Sequence, residues 1–573
     1  MQNDKVNETI EYVSRELMKR RPKNGDIWTG LLSSSAISTS VALFAFYMFD
    51  KKSHQAIIEK AGEWLKGTML SDGTWGDTIE SPSNMTATLL SYAALNAIGQ
   101  APEETKDYLK QRFNGIRDQH IITGVLKYYG KDLTFSAPIL IMCALSGLIT
   151  SWKNIPQLPF EVSVFPQKLF RFFKLPVVSY AIPALIAVGI LRYKKGGRNK
   201  LREIFIPASL KVLQKLQPSN GGFLEAAPLT GFVTMCMCGA GYSNHVSVKN
   251  AVSFLSDTVR EDGSWPIDTN LASWVTSLSV KALDGNLEDG EHISNLIKSN
   301  AFNFQHPFTG AREGGWGWTN LPGSVPDADD TAGALVALHK LDKGVVSSEV
   351  IKGIEWLLHL QNSNGGIPTF CKGWGKLPFD RSSPDITAHT LFALQLWRDK
   401  LSDELRKKCN DRMLRMLKWM QIEQADNGCW YPLWFGDQDA EDERAPVYGT
   451  AISVEYLADI EHPIAKNMLA KGVAYLISTQ NEDGGWGGAI GLPSKLTFTA
   501  RVLSALSGIG NIEHTILNKA FDYIFIKIKQ NELLKPEPIG LYFSRLWYSE
   551  EMYNITFVLT ALSQYKKKIT NGN

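Results

Sequence analysis

Lys471-Gly472-Val473-Ala474-Tyr475-Leu476, then Gln480, then Asp483-Gly484-Gly485-Trp486 is the stretch on which the fold turns. It runs from an aromatic-Leu helix tail through a Gln to a Gly-Gly-Trp turn, and that order recurs along the chain. Ala61-Gly62-Glu63-Trp64-Leu65 precedes Asp72-Gly73-Thr74-Trp75, Leu216-Gln217 precedes Asn220-Gly221-Gly222-Phe223, and Phe254-Leu255 precedes Asp262-Gly263-Ser264-Trp265. Lys352-Gly353-Ile354-Glu355-Trp356-Leu357 leads to Gln361 and Asn364-Gly365-Gly366-Ile367, and Trp419 leads to Gln424 and Gly428-Cys429-Trp430. Between the turns, stretches such as 331–341 and 388–397 carry apolar residues at three-and-four spacing, while β-alternation is scarce. The chain therefore reads as all-α. A Gly permits the tight turn after each helix, and the Trp can stack back on the Gln and on the next helix's N-terminus. Each motif then acts as a clasp between helical hairpins, and its Trp and Gln are scaffold.

The most pointed chemistry lies in Val325-Pro326-Asp327-Ala328-Asp329-Asp330-Thr331-Ala332, where three carboxylates fall within four positions before an apolar helical run. Like charges this close raise one another's pKa, so a proton tends to stay on the cluster near neutral pH and is a potential general acid. Helix capping is the plain alternative, because Asp suits the positive end of a helix. A calcium loop fails on spacing: Ala332 falls where the turn needs Gly, and Leu338 where a bidentate Glu belongs.

A chain of 573 residues is long enough for two domains, each with a large core. Charged residues make up 21% and the net charge is +2, which excludes a global basic field that would recruit nucleic acid. An aromatic share of 10% points to an aromatic-lined cavity. Cys143, Cys236, Cys238, Cys371, Cys409 and Cys429 form neither a CxxC pair nor a regular framework, so the sequence predicts neither a zinc site nor a disulfide scaffold, and fits a reducing, cytoplasmic exposure. The first 21 residues read as a polar amphipathic segment rather than a secretory leader. Residues 160–206 depart from the repeat: the apolar run 175–191 holds two prolines and is short for a spanning helix, which needs about 20 residues, so a buried helix is expected. Arg192, Lys194, Lys195, Arg198, Lys200 and Arg202 follow, an arrangement able to sit on anionic headgroups.

Together these residues resemble the squalene–hopene cyclase group of class II terpene cyclases over nearly the full chain. Asp327-Ala328-Asp329-Asp330-Thr331-Ala332 matches that family's DxDDTA acid motif, and the six clasps match its Gln-Trp repeats. Further matches are Asp262-Gly263-Ser264-Trp265-Pro266-Ile267-Asp268-Thr269, Ser383-Pro384-Asp385-Ile386-Thr387-Ala388-His389, Pro432-Leu433-Trp434-Phe435-Gly436 with Tyr448-Gly449-Thr450, and the aromatic segment 540–553. The resemblance implies two α/α barrels: residues 1–22 with 271–573 form the barrel bearing the acid motif, and 23–270 form an inserted second barrel. It also implies an apolar cavity between them, a nonpolar plateau dipping into one membrane leaflet from the cytoplasmic side, a linear polyprenoid substrate and no cofactor, and it allows a homodimer.

By the same resemblance Asp329 protonates a terminal C=C bond, Asp327 and Asp330 flank it, and His389 pairs with the acid and favours the carboxylate left behind. Aromatic faces would stabilise the cation, and Tyr180, Trp274, Trp318, Phe370, Trp434, Tyr448, Phe543, Trp547 and Tyr553 are the expected lining. Two departures bear on the product. The stretch 33–40 has no Glu where hopene-forming enzymes carry one, and Glu225-Ala226-Ala227-Pro228 stands in place of a Gln-Pro pair. The chain is also shorter than typical hopene synthases, chiefly after Leu191, so a smaller substrate or a terpene joined to an aromatic head fits as well as squalene. The competing readings are a noncatalytic isoprenoid-binding double barrel, which has no use for clustered carboxylates, and a protein prenyltransferase, which would need an Asp, Cys and His zinc site. No second DDxxD motif is present, so magnesium is not implied.

Overall fold

The computed structural model describes residues 2–130, 133–165, 182–196, 200–307, 309–370, 372, 380–542 and 546–571. Two kinds of helix build it. One kind is buried all round: Ala328–Leu341 exposes almost nothing before its last turn, and Pro446–Leu457 is buried from Pro446 to Val454. The other is one-sided: Asp403–Glu423 turns Leu405, Cys409, Met413, Met416 and Met420 inward and its Lys, Arg, Asp and Glu residues outward. The first kind can only be an inner helix and the second only an outer one.

The packing follows that division. Ala272–Ala282, Ala328–Leu341, Pro384–Arg398, Pro446–Leu457, Leu496–Ser507 and Met552–Asn571 each pack on the next, and the last returns to the first, closing an inner ring. Gly290–Ser299, Ser348–Leu360, Asp403–Glu423, Pro463–Ser478 and His514–Lys529 lie outside it, and Gln2–Lys19 packs against Met552–Asn571. A second ring is formed by Ala36–Asp50, Met85–Ala97, Leu133–Leu145, Ile182–Lys195 and Ala227–Gly239, again with one-sided helices around it. The architecture is therefore a pair of α/α barrels.

The clasps hold each barrel together by hydrogen bonds. Trp75, Trp265, Trp430 and Trp486 donate their indole N–H to the carbonyls of Leu65, Leu255, Met420 and Leu476 at 2.7–3.0 Å, tying each turn to the last turns of the preceding helix. Gln217, Gln361, Gln424 and Gln480 each donate to a carbonyl of their own turn and to one on the next outer helix, as Gln480 does to Gly484 at 2.9 Å and Ile516 at 3.0 Å. The Trp ring also reaches the next outer helix, but at the recurring Gly and not at the N-terminus: a Cβ at Gly353 would lie 2.6 Å from Trp316, and one at Gly472 3.0 Å from Trp430. Glu313-Gly314-Gly315-Trp316 is a further clasp, bonded to the carbonyl of Ile297 at 2.6 Å. The sequence reading missed it because the helix before it ends without an aromatic-Leu tail or a Gln.

Buried carboxylates stitch the two rings. Glu550 accepts from Leu31 N at 2.9 Å, Glu225 from Gly323 N at 2.6 Å, and Asp77 from Trp547 N at 3.2 Å. Burial pushes the Asp77 and Glu550 carboxyls up to about 8. A carboxyl raised by folding binds more protons folded than unfolded between the two values, so its stabilising contribution is full below about pH 4 and is lost as pH rises towards 8. The urea midpoint of the wild-type protein is accordingly expected to fall from pH 5 to pH 9, and that of Asp77→Asn to fall less. Equal slopes in the two proteins would show that Asp77 does not titrate in this window.

Among the described residues no helix is long and apolar enough to cross a membrane. Residues 182–191 of the apolar run lie in a buried inner helix, Ile182–Lys195, as expected, while 166–181, Tyr180 included, lie outside the described residues. Three of the six basic residues after the run bond within the protein, while Lys195 is exposed and Arg198 lies outside the described residues. The Arg192 guanidinium is buried and donates to the carbonyls of Ile155 and Lys153 at 2.8 and 3.2 Å, Lys194 donates to Ala240 O at 2.8 Å, and Arg202 pairs with Glu161 at 2.8 Å. Leu201 and Ile204 beside them are 71% and 73% exposed.

Candidate active site

Threonines set the register of the inner helices. The backbone N–H of Trp316, Ile367, Trp430 and Trp486 donates at 3.0 Å to Thr331, Thr387, Thr450 and Thr499 in turn. The Thr of the acid motif is thus a scaffold residue, one of a set. Two positions before each Thr lies the residue presented at that level of the ring: Asp329, Asp385, Tyr448 and Thr497. The carboxyl of Asp385 and the phenol of Tyr448 both feel the charge of Asp329.

The three carboxyls of the motif have different partners. Asp327 is the N-cap of Ala328–Leu341 and accepts from Asp330 N at 2.9 Å. Asp330, one turn on, hydrogen-bonds the Asp327 carboxyl, and both are buried. Burial pushes Asp327 up to about 7, and burial followed by the charge of Asp327 pushes Asp330 well above the carboxylate range. The pair therefore keeps a proton at neutral pH. Asp329 is less enclosed, its side chain 27% exposed, and its Oδ1 lies 2.6 Å from Nδ1 of buried His389. One turn before His389, Asp385 is pushed up to about 7 by burial and accepts from the Ser383 hydroxyl. The capping alternative thus holds for Asp327 and leaves Asp329 without a structural task.

Asp329 opens onto a cavity with about 640 Å³ of atom-free space, its open mouth included, which Asp327 and Asp330 also line. The cavity lies between the rings. Trp274, Trp318, Phe370, Trp434 and Tyr553 line it as expected from the sequence. Trp318, Phe370 and Trp434 form an edge-to-face series with centroids 5.9 Å apart at each step, and the Trp434 indole is fixed by the Thr369 hydroxyl at 2.7 Å. Phe543 lies outside the described residues.

Two expected lining residues sit behind the wall instead. Tyr448 is stacked under Phe435 with centroids 4.3 Å apart, and Phe435 takes the cavity face. Trp547 turns away against Gly436, where a Cβ would lie 2.5 Å from its ring, and Tyr548 faces the cavity. Strand alternation explains the second case, because Leu546–Tyr548 pairs with Gly540–Tyr542 and neighbours point to opposite faces. Leu32, Ile267, Asp268 and Leu271 also line the cavity and were not foreseen. The repeated Thr-Ala at 331–332, 387–388, 450–451 and 499–500 was the available signal for Asp385.

Comparison with known proteins agrees with this geometry. The family models for the squalene-hopene cyclase N-terminal and C-terminal domains match residues 10–265 and 295–567. The squalene–hopene cyclase of Zymomonas mobilis is 22% identical over 98% of this chain and 96% of its own length. The enfumafungin synthase of Hormonema carpetanum is 23% identical over 84% of this chain, which spans 41% of that longer protein. Among solved structures, the ent-copalyl diphosphate synthase of Streptomyces platensis aligns with a TM-score of 0.56 and 15% identity, covering 98% of this chain and 99% of its own. The matches to both domains, with the paired barrels between which the carboxylates lie, place this chain in the squalene–hopene cyclase family of class II terpene cyclases.

Proposed function

We propose that this protein cyclises a linear polyprenoid by protonating a terminal C=C bond with Asp329. The observation that carries the reading is a carboxyl bonded to a buried imidazole and opening onto an aromatic, largely apolar cavity. With His389 Nδ1–H donating to Oδ1, the second oxygen of Asp329 is left to carry the proton. Its O–H bond breaks as a C–H bond forms on the alkene, leaving a tertiary cation and a carboxylate that His389 favours. The cation then needs stabilisation without a nucleophile. Trp274, Trp318, Phe370, Trp434 and Tyr553 offer ring faces worth about 2 kcal/mol each when desolvated. The chain of cyclisations ends when the last cation loses a proton or takes up water.

Asp327 and Asp330, which keep a proton between them, leave Asp329 as the carboxyl whose charge can change during the reaction. Among the described residues the lining carries no Lys or Arg, which favours a hydrocarbon end beside the acid over a diphosphate. The reading divides the chain into an acid-bearing barrel of residues 1–22 and 271–573 and an inserted barrel of 23–270. It also takes Leu201 and Ile204 as part of a monotopic contact with one membrane leaflet.

The test is incubation of detergent-solubilised protein with squalene, a C35 polyprene, geranylgeranyl diphosphate and a geranylgeranylated hydroxybenzoate, followed by mass spectrometry. A cyclised isomer of one of them is expected, with the two hydrocarbons favoured. Folded protein that turns over none of the four would favour a noncatalytic isoprenoid-binding role.

A further inference from the structure

Behind His389, on the side away from the cavity, lies a buried chain of contacts that the acid step does not explain. The Tyr456 ring stacks on the imidazole with centroids 4.7 Å apart and planes 4° from parallel. Phe392 stacks on Tyr456 in turn at 5.0 Å. The Tyr456 hydroxyl accepts from the Lys281 ammonium at 3.0 Å, and that ammonium is bound to Glu455 at 2.6 Å. Lys281, His389 and the Glu455-Tyr456 pair come from three different inner helices, so the arrangement is built by the ring and not by one turn.

Such a pair is costly. Burial pulls the Lys281 ammonium down, while burial pushes the Glu455 carboxyl up and the charges of Lys281 and Arg501 more than reverse it. Breaking a buried pair leaves an unpaired charge, so its presence calls for a task. There is space for water to supply part of the compensation. Lys281, Glu455 and Ser504 line a second cavity with room for about 140 Å³ of water centres, where roughly 10–15 Å³ suffices for one water. Glu455 Oε2 and Ser504 Oγ are buried without a hydrogen-bond partner among the described residues.

We propose that Tyr456, held by the Lys281–Glu455 pair, is the positioning residue for His389, clamping the imidazole in the one plane that aims Nδ1 at Asp329. The χ2 torsion of an imidazole is broad, and the bond to Asp329 alone does not fix the ring plane. The parallel Tyr face fixes it, and the ring's quadrupole favours any positive charge that the imidazole carries when Asp329 is a carboxylate. Lys281 holds Tyr456 in place, and the charge of Asp329 acts on the Lys281 ammonium. Neither Tyr456 nor Lys281 lines the substrate cavity. Their effect should therefore fall on kcat and not on KM.

This inference rests on the cyclase reading, and its test separates the two. On whichever substrate the wild type turns over, Tyr456→Leu is expected to lower kcat about 100-fold with KM within about threefold, as misplacement of a catalytic group by an ångström does. Tyr456→Phe keeps the ring and is expected to recover most of that loss; Lys281→Met is expected to fall between the two. A Phe variant as impaired as the Leu variant would overturn the clamp, as would a Leu variant with wild-type kcat or a loss confined to KM. A second readout needs no substrate: the downfield proton resonance of the His389–Asp329 hydrogen bond should survive in Tyr456→Phe and vanish in Tyr456→Leu. Its survival in the Leu variant, shown folded by its helical circular dichroism, would refute the proposal even if no substrate is found.

Discussion

Asp329→Asn is expected to abolish cyclisation, lowering turnover by at least about 10³-fold, while the urea midpoint stays near that of the wild type. The expectation follows from how the three carboxyls divide the work. Asp327 caps its helix and Asp330 completes the pair with it, so either substitution would disturb the fold as well as the chemistry. The Asp329 side chain caps nothing, and among the described residues it bonds His389. The Asn carbonyl can still accept from His389 Nδ1, so ring geometry and packing persist. What is lost is the acidic proton: an amide N–H cannot protonate an alkene. Mass spectrometry of product per mole of protein checks the first half and urea titration the second. Turnover retained in a folded Asp329→Asn protein would move the acid to the Asp327–Asp330 pair. That pair holds its proton firmly through burial, which makes it a poor donor and sharpens the contrast.

Much of the scaffold was legible because its signals are local. A Gly-Gly-Trp turn after a helix declares itself within a dozen residues, since the turn demands positive φ and the indole reaches back one helix end. The Trp316 clasp escaped because its partner carbonyl, on Ile297, lies 19 residues away across a loop. The acid and its imidazole were legible for a different reason. Asp329 and His389 stand at fixed offsets from Thr331 and Thr387, and the backbone bonds of those threonines bring the two helices to one level. The cavity wall was less legible, because which of two adjacent aromatics faces inward depends on strand alternation and on what packs behind. Phe435 and Tyr548 took the places expected for Tyr448 and Trp547 on those grounds. The Lys281–Glu455 pair could not be read at all: its members are 174 residues apart, and nothing in either local sequence marks them as buried.

Gly428→Ala is expected to destabilise the protein by about 3–5 kcal/mol, far more than Gly99→Ala, which should cost about 1–2 kcal/mol. Both glycines have positive φ, +92° and +77°, so both substitutions carry the cost of placing an L-residue in the left-handed region. They differ in what a Cβ meets. At Gly99 nothing lies within 4 Å, whereas at Gly428 the new carbon would lie 2.5 Å from the carbonyl oxygen of Lys471 on the next outer helix. That atom belongs to a helical backbone and cannot rotate aside. Gly428 also lends its carbonyl to Gln424 at 2.9 Å, and Gln424 bonds Met468 on the same outer helix at 3.0 Å, so a shift of the turn loosens both contacts. Urea titration of the two variants checks the comparison, and equal losses would show that the turn is not wedged against the outer helix. The consequence reaches the active site. Trp430, two residues on, holds Thr450, and the helix that Thr450 anchors carries Tyr448 beneath the cavity wall and Tyr456 beneath His389. Under conditions where Gly428→Ala remains folded, its turnover should fall while that of Gly99→Ala stays near the wild-type value.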